Sequence, residues 1–177
     1  MAEVVELLGQ RVDGLEAQDL ADDPAFYDAA VAAARIATAT SAAAKHCALQ
    51  NALFNVGAGD SLDADKRAIF LRYVDELTSS HIALLRLAAN PPSCFEQRGL
   101  PWPGGSLLAV VKSAFPAWAD DEAFIDTLNV DLTSRGLIDD LPLRTMMTET
   151  GVRARRTKPK GHEFMELISG PFDDRDN

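Results

Sequence analysis

Apolar residues recur at helical spacing through most of the first half of the chain. From Pro24 to Val56 no residue breaks a helix, and alanine, the residue with the lowest helical cost, dominates. Asp23 fits an N-cap before a proline, and Gly57 with Gly59 fits a helix stop. The pattern predicts one unbroken helix, which is too long for one small core and must pack along a second helix.

That second helix is predicted in "DKRAIFLRYVDELTSSHIALLRLAAN", where large apolar residues from Ile69 to Leu87 fall at helical spacing. Thr78 or Ser79 can serve as a new N-cap in the middle of this stretch, which predicts a kink or a break there. Asn90 precedes two prolines, and these end the helix. Residues 23–90 are therefore predicted to form a long helical hairpin whose second arm is kinked.

Three segments around the hairpin have a different character. Residues 1–22 alternate apolar and acidic side chains, which predicts an amphipathic arm or a short helix. Residues 91–105 contain four prolines and three glycines, which predicts a connection between two regions. The last residues, 171–177, are expected to form a loose tail.

Residues 106–170 are predicted to form a smaller region of short elements. Ser106 and Asp120 fit the caps of two helices, and Gly136 ends the second of them. Residues 143–148 alternate like a strand, a turn follows, and residues 152–157 fit the return strand. Thr157 then fits the cap of a last helix. The fold class predicted for the whole chain is mainly α, with a small α/β-hairpin region at the C-terminal end.

The order of these short elements resembles a known arrangement. The segments "VDLTSRGLI" and "TKPKGHEFMEL", with the basic-tipped hairpin between them, resemble the latter half of a winged-helix domain. The resemblance covers residues 106–169 and implies a helix that feeds a two-stranded wing and then a closing helix. The matching positions are Leu132, Arg135, Gly136, Leu137, Ile138, Thr157, Gly161, Phe164 and Leu167.

A second resemblance lies in the predicted hairpin. The stretch "KRAIFLRYVDELTSSHIALLRLAANP" is similar to a group of uncharacterised bacterial helical proteins that share segments of the "FLRLVDELTPxHLRLL" kind. This similarity implies a helical fold and a bacterial origin. It implies no activity, substrate or partner.

Composition narrows the range of partners. The chain has 177 residues, and its 27 acidic residues against 17 basic ones give a net charge of -10, which repels phosphate and anionic lipid. The N-terminus has no basic region before an apolar stretch, and the Ala-rich run around Arg35 is too weakly apolar for a membrane span. A soluble, cytoplasmic protein without a membrane partner is expected. Cys47 and Cys94 are interpreted as the buried thiols of a cytosolic chain.

Positive charge nevertheless gathers in one place, which we call the basic cluster. It consists of Arg153, Arg155, Arg156, Lys158 and Lys160. Four interpretations remain open: a solvated strand edge, pairing with the chain's own acidic segments or with those of a second copy, an acidic protein partner, and contact with nucleic-acid phosphates.

Nucleic acid is the less favoured of these interpretations. Winged helices that bind DNA place the helix before the wing in the major groove. Here that helix would span residues 121–135 and carries four carboxylates against Arg135, the wrong charge for a duplex. A DNA-associated regulator that uses residues 152–160 on phosphates is kept as the alternative.

The sequence offers no catalytic, cofactor or metal site. His46, His81 and His162 fall on separate predicted helices, where a lone histidine is more often a cap or a packed side chain than a ligand. The "GAGDS" segment is explained by a helix stop and an N-cap. The expected role is therefore a non-enzymatic protein-interaction module. The Ala-rich face of residues 29–44 either forms an oligomer surface or packs against residues 66–89.

Overall fold

The computed structural model describes Ala2, Glu6, Leu20 and residues 22–140 and 142–173. Within these residues the protein is mainly α-helical, as predicted, with nine α-helices, one short 3₁₀ helix and no β-strand. The helices are α1 Pro24–Ala39, α2 Ala43–Gly57, α3 Ala64–Glu76, α4 Ser79–Ala89, α5 Pro91–Gln97, α6 Leu107–Ala114, α7 Glu122–Ser134, α8 Glu149–Arg153 and α9 Pro159–Ile168, with the 3₁₀ helix at Pro116–Trp118.

The described residues fall into two compact units. The first comprises the residues up to Ser79 together with Glu166–Asp173, and the second comprises Ser80–Met165. The connection predicted at 91–105 lies wholly inside the second unit. The arm predicted at 1–22 lies outside the described residues, except for Ala2, Glu6, Leu20 and Asp22.

In the first unit, α1, α2 and α3 pack against one another. Helix α1 buries Phe26, Ala29, Ala33 and Ile36, which lie three or four residues apart and so form one stripe. The Asp23 carboxylate accepts a hydrogen bond from the Ala25 N–H at 2.9 Å, as its position before a proline predicted.

The single helix predicted from 24 to 56 is wrong, because the chain breaks between α1 and α2. Thr40 adopts an extended conformation, and its hydroxyl accepts a hydrogen bond from the Ala42 N–H at 3.1 Å. The His46 Nε2 lies 3.0 Å from the Thr40 carbonyl oxygen and 3.2 Å from that of Ala37, so a proton on Nε2 caps the end of α1. Threonine side chains compete with helical hydrogen bonds in this way, and alanine propensity does not outweigh them.

Two asparagines of α2 hold the end of the closing helix α9 in the first unit. The Asn55 amide donates to the carbonyl oxygens of Glu166, Leu167 and Ser169 at 2.8 to 3.0 Å. The Asn51 amide donates to the Ile168 carbonyl at 3.1 Å, and its oxygen accepts from the Phe172 N–H at 3.0 Å. Phe172 is fully buried, so the prediction of a loose tail is wrong for this residue.

In the second unit, residues predicted to be a connection form helix α5. Asn90 caps this helix by accepting from the Ser93 N–H at 3.3 Å, and Pro91 takes the first helical position, where it needs no hydrogen-bond donor. The buried Phe95 ring packs against Trp102 at 4.5 Å between centroids, which is the anchoring expected of an aromatic residue in this loop.

The β-hairpin predicted for residues 143–157 is wrong. The Thr148 hydroxyl accepts from the Gly151 N–H at 3.2 Å and starts α8 where a turn was expected. The Arg156 N–H donates to the Ala88 carbonyl at 2.8 Å, so the predicted return strand pairs with the end of α4. Two isolated antiparallel bridges, Ser106 with Met146 and Ile138 with Thr157, are the only β pairing in the described residues.

Helix α7 is held at both ends by local signals. Its N-cap is Asp121, which accepts from the Phe124 N–H at 2.9 Å, and the prediction of Asp120 was one residue early. Gly136 ends the helix with a φ of +69°, a conformation that favours glycine. Farther along, α9 begins at Pro159, and the buried Thr157 hydroxyl has no hydrogen-bond partner among the described residues, so Thr157 is not the cap.

Candidate interaction surfaces

The basic cluster is spread over a helix end, a loop and a helix start. Arg153 ends α8, Arg155 to Lys158 form the loop that follows, and Lys160 lies in the first turn of α9. The expectation that Arg153 and Arg155 share one face of a strand therefore fails.

The side chain of Arg153 is occupied within the chain. It forms an ion pair with Glu149 at 2.7 Å, one helical turn away, and its guanidinium lies 4.8 Å from the centre of the Trp102 ring. Internal pairing, one of the four interpretations, thus applies to Arg153, but the acidic partner belongs to its own helix.

Arg156 has a structural role. Its guanidinium donates to the Gly151 carbonyl oxygen at the end of α8, and its buried Nε has no hydrogen-bond partner among the described residues. Its backbone carbonyl accepts from the Asp139 N–H at 2.8 Å. The loop is tied down through this residue, which makes Arg156 a poor phosphate ligand.

The two lysines differ from each other in exposure. Lys158 is half-buried, and its N–H donates to the Leu137 carbonyl at 3.0 Å. Lys160 is exposed, and its side chain passes close to Gly136 at the C-terminal end of α7, where a cation is favoured by the helix dipole. Arg153, Arg155 and Lys160 are thus the exposed members of the cluster.

Helix α7 carries the carboxylates that argued against DNA, and the chain neutralises part of them. Lys112 contacts Glu122 at 2.7 Å. Arg144 contacts the same carboxylate at 2.8 Å and binds Asp126 through two hydrogen bonds of 3.0 Å. Hydrogen bonds from Lys112 and then Arg144 hold the pKa of Glu122 below its usual value, and those from Asp126 and Glu122 raise the pKa of Arg144.

Sequence reasoning missed Arg144 because the residue lies outside the basic cluster. Its partners are 18 and 22 positions away along the chain, so no local spacing links them. The further acidic residue, Asp131, lies 3.1 Å from the Nε2 of His81, which is buried on α4. This contact fits the expectation that the lone histidines pack or cap.

Other motifs that could suggest ligands are used as structure. The Asp60 carboxylate binds Arg67 at 2.8 Å, and both side chains are almost buried. This hydrogen bond raises the pKa of Arg67. Asp63 caps α3 by accepting from the Lys66 N–H at 2.8 Å. Across the described residues, no three histidine, cysteine or acidic side chains gather in a way that could hold a metal ion.

Helix α1 presents an exposed apolar surface, which we call the α1 stripe: Tyr27, Val31, Ala34 and Thr38. Tyr27 is 60% exposed and Val31 is 55% exposed, and the other two positions are also exposed. The buried alanines Ala29 and Ala33 lie on the opposite side, since residues on a helix are about 100° apart. The Ala-rich face of 29–44 therefore divides: its buried part packs within the unit, and the outward part of the helix is the α1 stripe.

Two opposite charges border the α1 stripe. Asp28 and Arg35 are both exposed and lie seven residues apart, on the same side of the helix. No ion pair engages either side chain in the part of the chain that the structure describes. On the same side, a hollow of about 360 Å³ between α1 and α3 is lined largely by alanines, including Ala25, Ala32 and Ala68.

Comparisons of the chain with protein-family models, with curated protein sequences and with solved structures find no match. In the residues that the structure describes, no helix combines the length and the apolar character needed to cross a membrane.

Proposed function

We propose that this chain is a non-enzymatic protein-interaction module and that the α1 stripe is its binding surface. The observation that carries the proposal is the exposure of Tyr27 and Val31, one helical turn apart. The opposite side of α1 supplies the buried residues of the unit, so the core does not require these two side chains. Adjacent exposed apolar residues bordered by charges are typical of a protein contact.

The spacing of the stripe also indicates how a partner binds. Anchors at i, i+4 and i+7 are those with which one helix packs against another. Tyr27 adds a large apolar ring with a polar hydroxyl, a side chain that is enriched at protein interfaces.

Site-specific photo-cross-linking in the native cell tests this function. A benzophenone amino acid at position 31 is expected to give a discrete protein adduct, whereas the same group at the exposed Asp65 of α3 is expected to give none. An adduct of any partner protein supports the function, and its mass tells whether the partner is a second copy. Absence of an adduct at position 31 in a folded protein would rule the function out.

A second candidate function is a DNA-associated regulator. Two observations favour it: Arg144 and Lys112 compensate the carboxylates of Glu122 and Asp126, and Arg155 and Lys160 are exposed. The helix order and the bridge between Ile138 and Thr157 support a winged-helix-like arrangement of residues 106–169, with residues 23–90 as a helical hairpin whose first arm is also broken.

Salt dependence tests the DNA candidate. Binding through phosphates should weaken steeply as salt rises, and replacing Arg155 and Lys160 with glutamine should flatten that slope by about two counterions. Duplex binding that is absent at low salt would remove this candidate. We place either role in the bacterial cytoplasm, which the resemblance to bacterial proteins and the free thiols Cys47 and Cys94 support.

A further inference from the structure

We propose that the partner of the α1 stripe is a second copy of this chain, whose α1 packs antiparallel to the first about a twofold axis near the middle of the helix. This inference rests on the proposed function and names the partner of the same surface. Two copies related by a twofold axis present the same patch to each other, so the patch must be complementary to itself.

The apolar spacing meets this condition. Tyr27, Val31, Ala34 and Thr38 are separated by four, three and four residues, which is the a/d pattern of two helices that pack side by side. All four positions are exposed. Ala34 at the centre and the alanine-lined hollow beside the stripe leave room for a second helix to approach closely.

The charges choose the direction of the second helix. Asp28 and Arg35 both occupy the e position of this heptad pattern, and equivalent e positions face each other when the helices are antiparallel. Asp28 then faces the partner's Arg35, and Arg35 faces the partner's Asp28. A parallel pairing would place Asp28 beside the partner's Asp23 and Arg35 beside the partner's Ala30, so neither ion pair would form.

The size of the contact sets its strength. Helix α1 has 16 residues and is therefore about 24 Å long. A contact of that length falls near the lower limit of specific interfaces, and we expect a dissociation constant in roughly the micromolar range.

Sedimentation velocity on the purified full chain, from about 1 µM to about 500 µM, tests the pairing. The wild type should shift from the 19.1 kDa chain to twice that mass. Asp28→Arg and Arg35→Asp should each raise the dissociation constant about tenfold, because each puts like charges at both crossings. The double variant Asp28→Arg/Arg35→Asp should restore it to within about threefold, since both ion pairs re-form with reversed sign.

Asp75→Arg is the matched control, because Asp75 is exposed on α3 and its replacement changes the net charge by the same amount as Asp28→Arg. It should leave the dissociation constant unchanged, and circular dichroism should show every variant folded. A monomer at all concentrations overturns the inference, and so does a dimer that the single variants leave intact or that the double variant does not rescue. A cross-link from position 31 to a different protein, together with a monomer in solution, overturns this inference but keeps the proposed function.

Discussion

Helices α1 and α7 both present a charged outer face with an exposed valine, yet the two faces differ in what the chain does with their charges. On α7, where Val130 is 61% exposed, Glu122 and Asp126 are bound by Arg144. On α1, where Val31 is 55% exposed, Asp28 and Arg35 have no ion-pair partner in the described residues.

The difference shows why a charged helix face cannot be assigned a function from its composition alone. The acidic face of α7 serves its own chain, so its charges are weak grounds both for and against an external partner. The charges of α1 are few, but they remain available. An exposed ion pair contributes little to stability, and the free groups of α1 lose little by waiting for a partner.

The largest expected effect tests how tightly each region is closed. A β-carbon at Gly161 of α9 would overlap the Leu137 carbonyl group, which lies just after α7 and also accepts from the Lys158 N–H. Gly161→Ala should therefore cost about 3 kcal/mol of unfolding free energy or prevent folding, because neither backbone can yield. Ala34→Leu on the exposed α1 stripe adds more atoms and should change stability by less than about 0.5 kcal/mol. Urea unfolding measures both, and equal losses would show that the outer face of α1 is covered.

The next effect concerns association. Val31→Asp should raise the dissociation constant of the dimer about 100-fold, because it places a charge in the middle of the apolar contact. Val130→Asp makes the same change on α7 and should leave sedimentation unchanged. The comparison breaks if the α7 variant dissociates the dimer and the α1 variant does not.

A smaller effect separates the two exposed arginines. Arg144→Ala should lower the melting temperature by about 2 °C, because it releases two carboxylates on α7. Arg35→Ala should leave the melting temperature of the dilute monomer unchanged. Calorimetry below the dissociation constant measures both, and an equal fall for Arg35→Ala would mean that this side chain has a partner within the chain.

The smallest effect is the pH dependence of the α7 contacts. The pKa of Glu122 is lowered in the folded chain, so the unfolded chain binds more protons between the two pKa values and stability rises with pH through that window. The melting temperature of Glu122→Gln should lie below that of the wild type at pH 7, and the gap should close below about pH 4. Glu96→Gln on α5 is the control. A gap that persists unchanged at pH 3 would contradict the assignment.

Local signals predicted most of the helical elements correctly. Asp23, Ser106 and Gly136 act at helix ends as expected, because a cap involves only a few neighbouring residues. The errors arose where a local preference was marginal. Residues 148–153 fit a turn or one turn of helix equally well, and the Thr148 cap together with the burial of Val152 favours the helix.

The candidate surface was less predictable than the fold. The sequence singled out the basic cluster, yet Arg153 and Arg156 are engaged inside the chain. The Ala-rich segment was identified as a contact region, but the heptad spacing of its inner and outer stripes is nearly the same. Only packing against α2 and α3 shows which stripe is buried.

By itself, the sequence determined that this protein is helical and where many of its helices begin and end, because propensity and capping act over a few residues. Tertiary structure alone decided which charges are satisfied, since Arg144 meets Glu122 across 22 positions and Asn55 meets Leu167 across 112. It also decided which face of α1 stays open. The reason is that side-chain partners are chosen by distance in space, and distance along the chain does not report it.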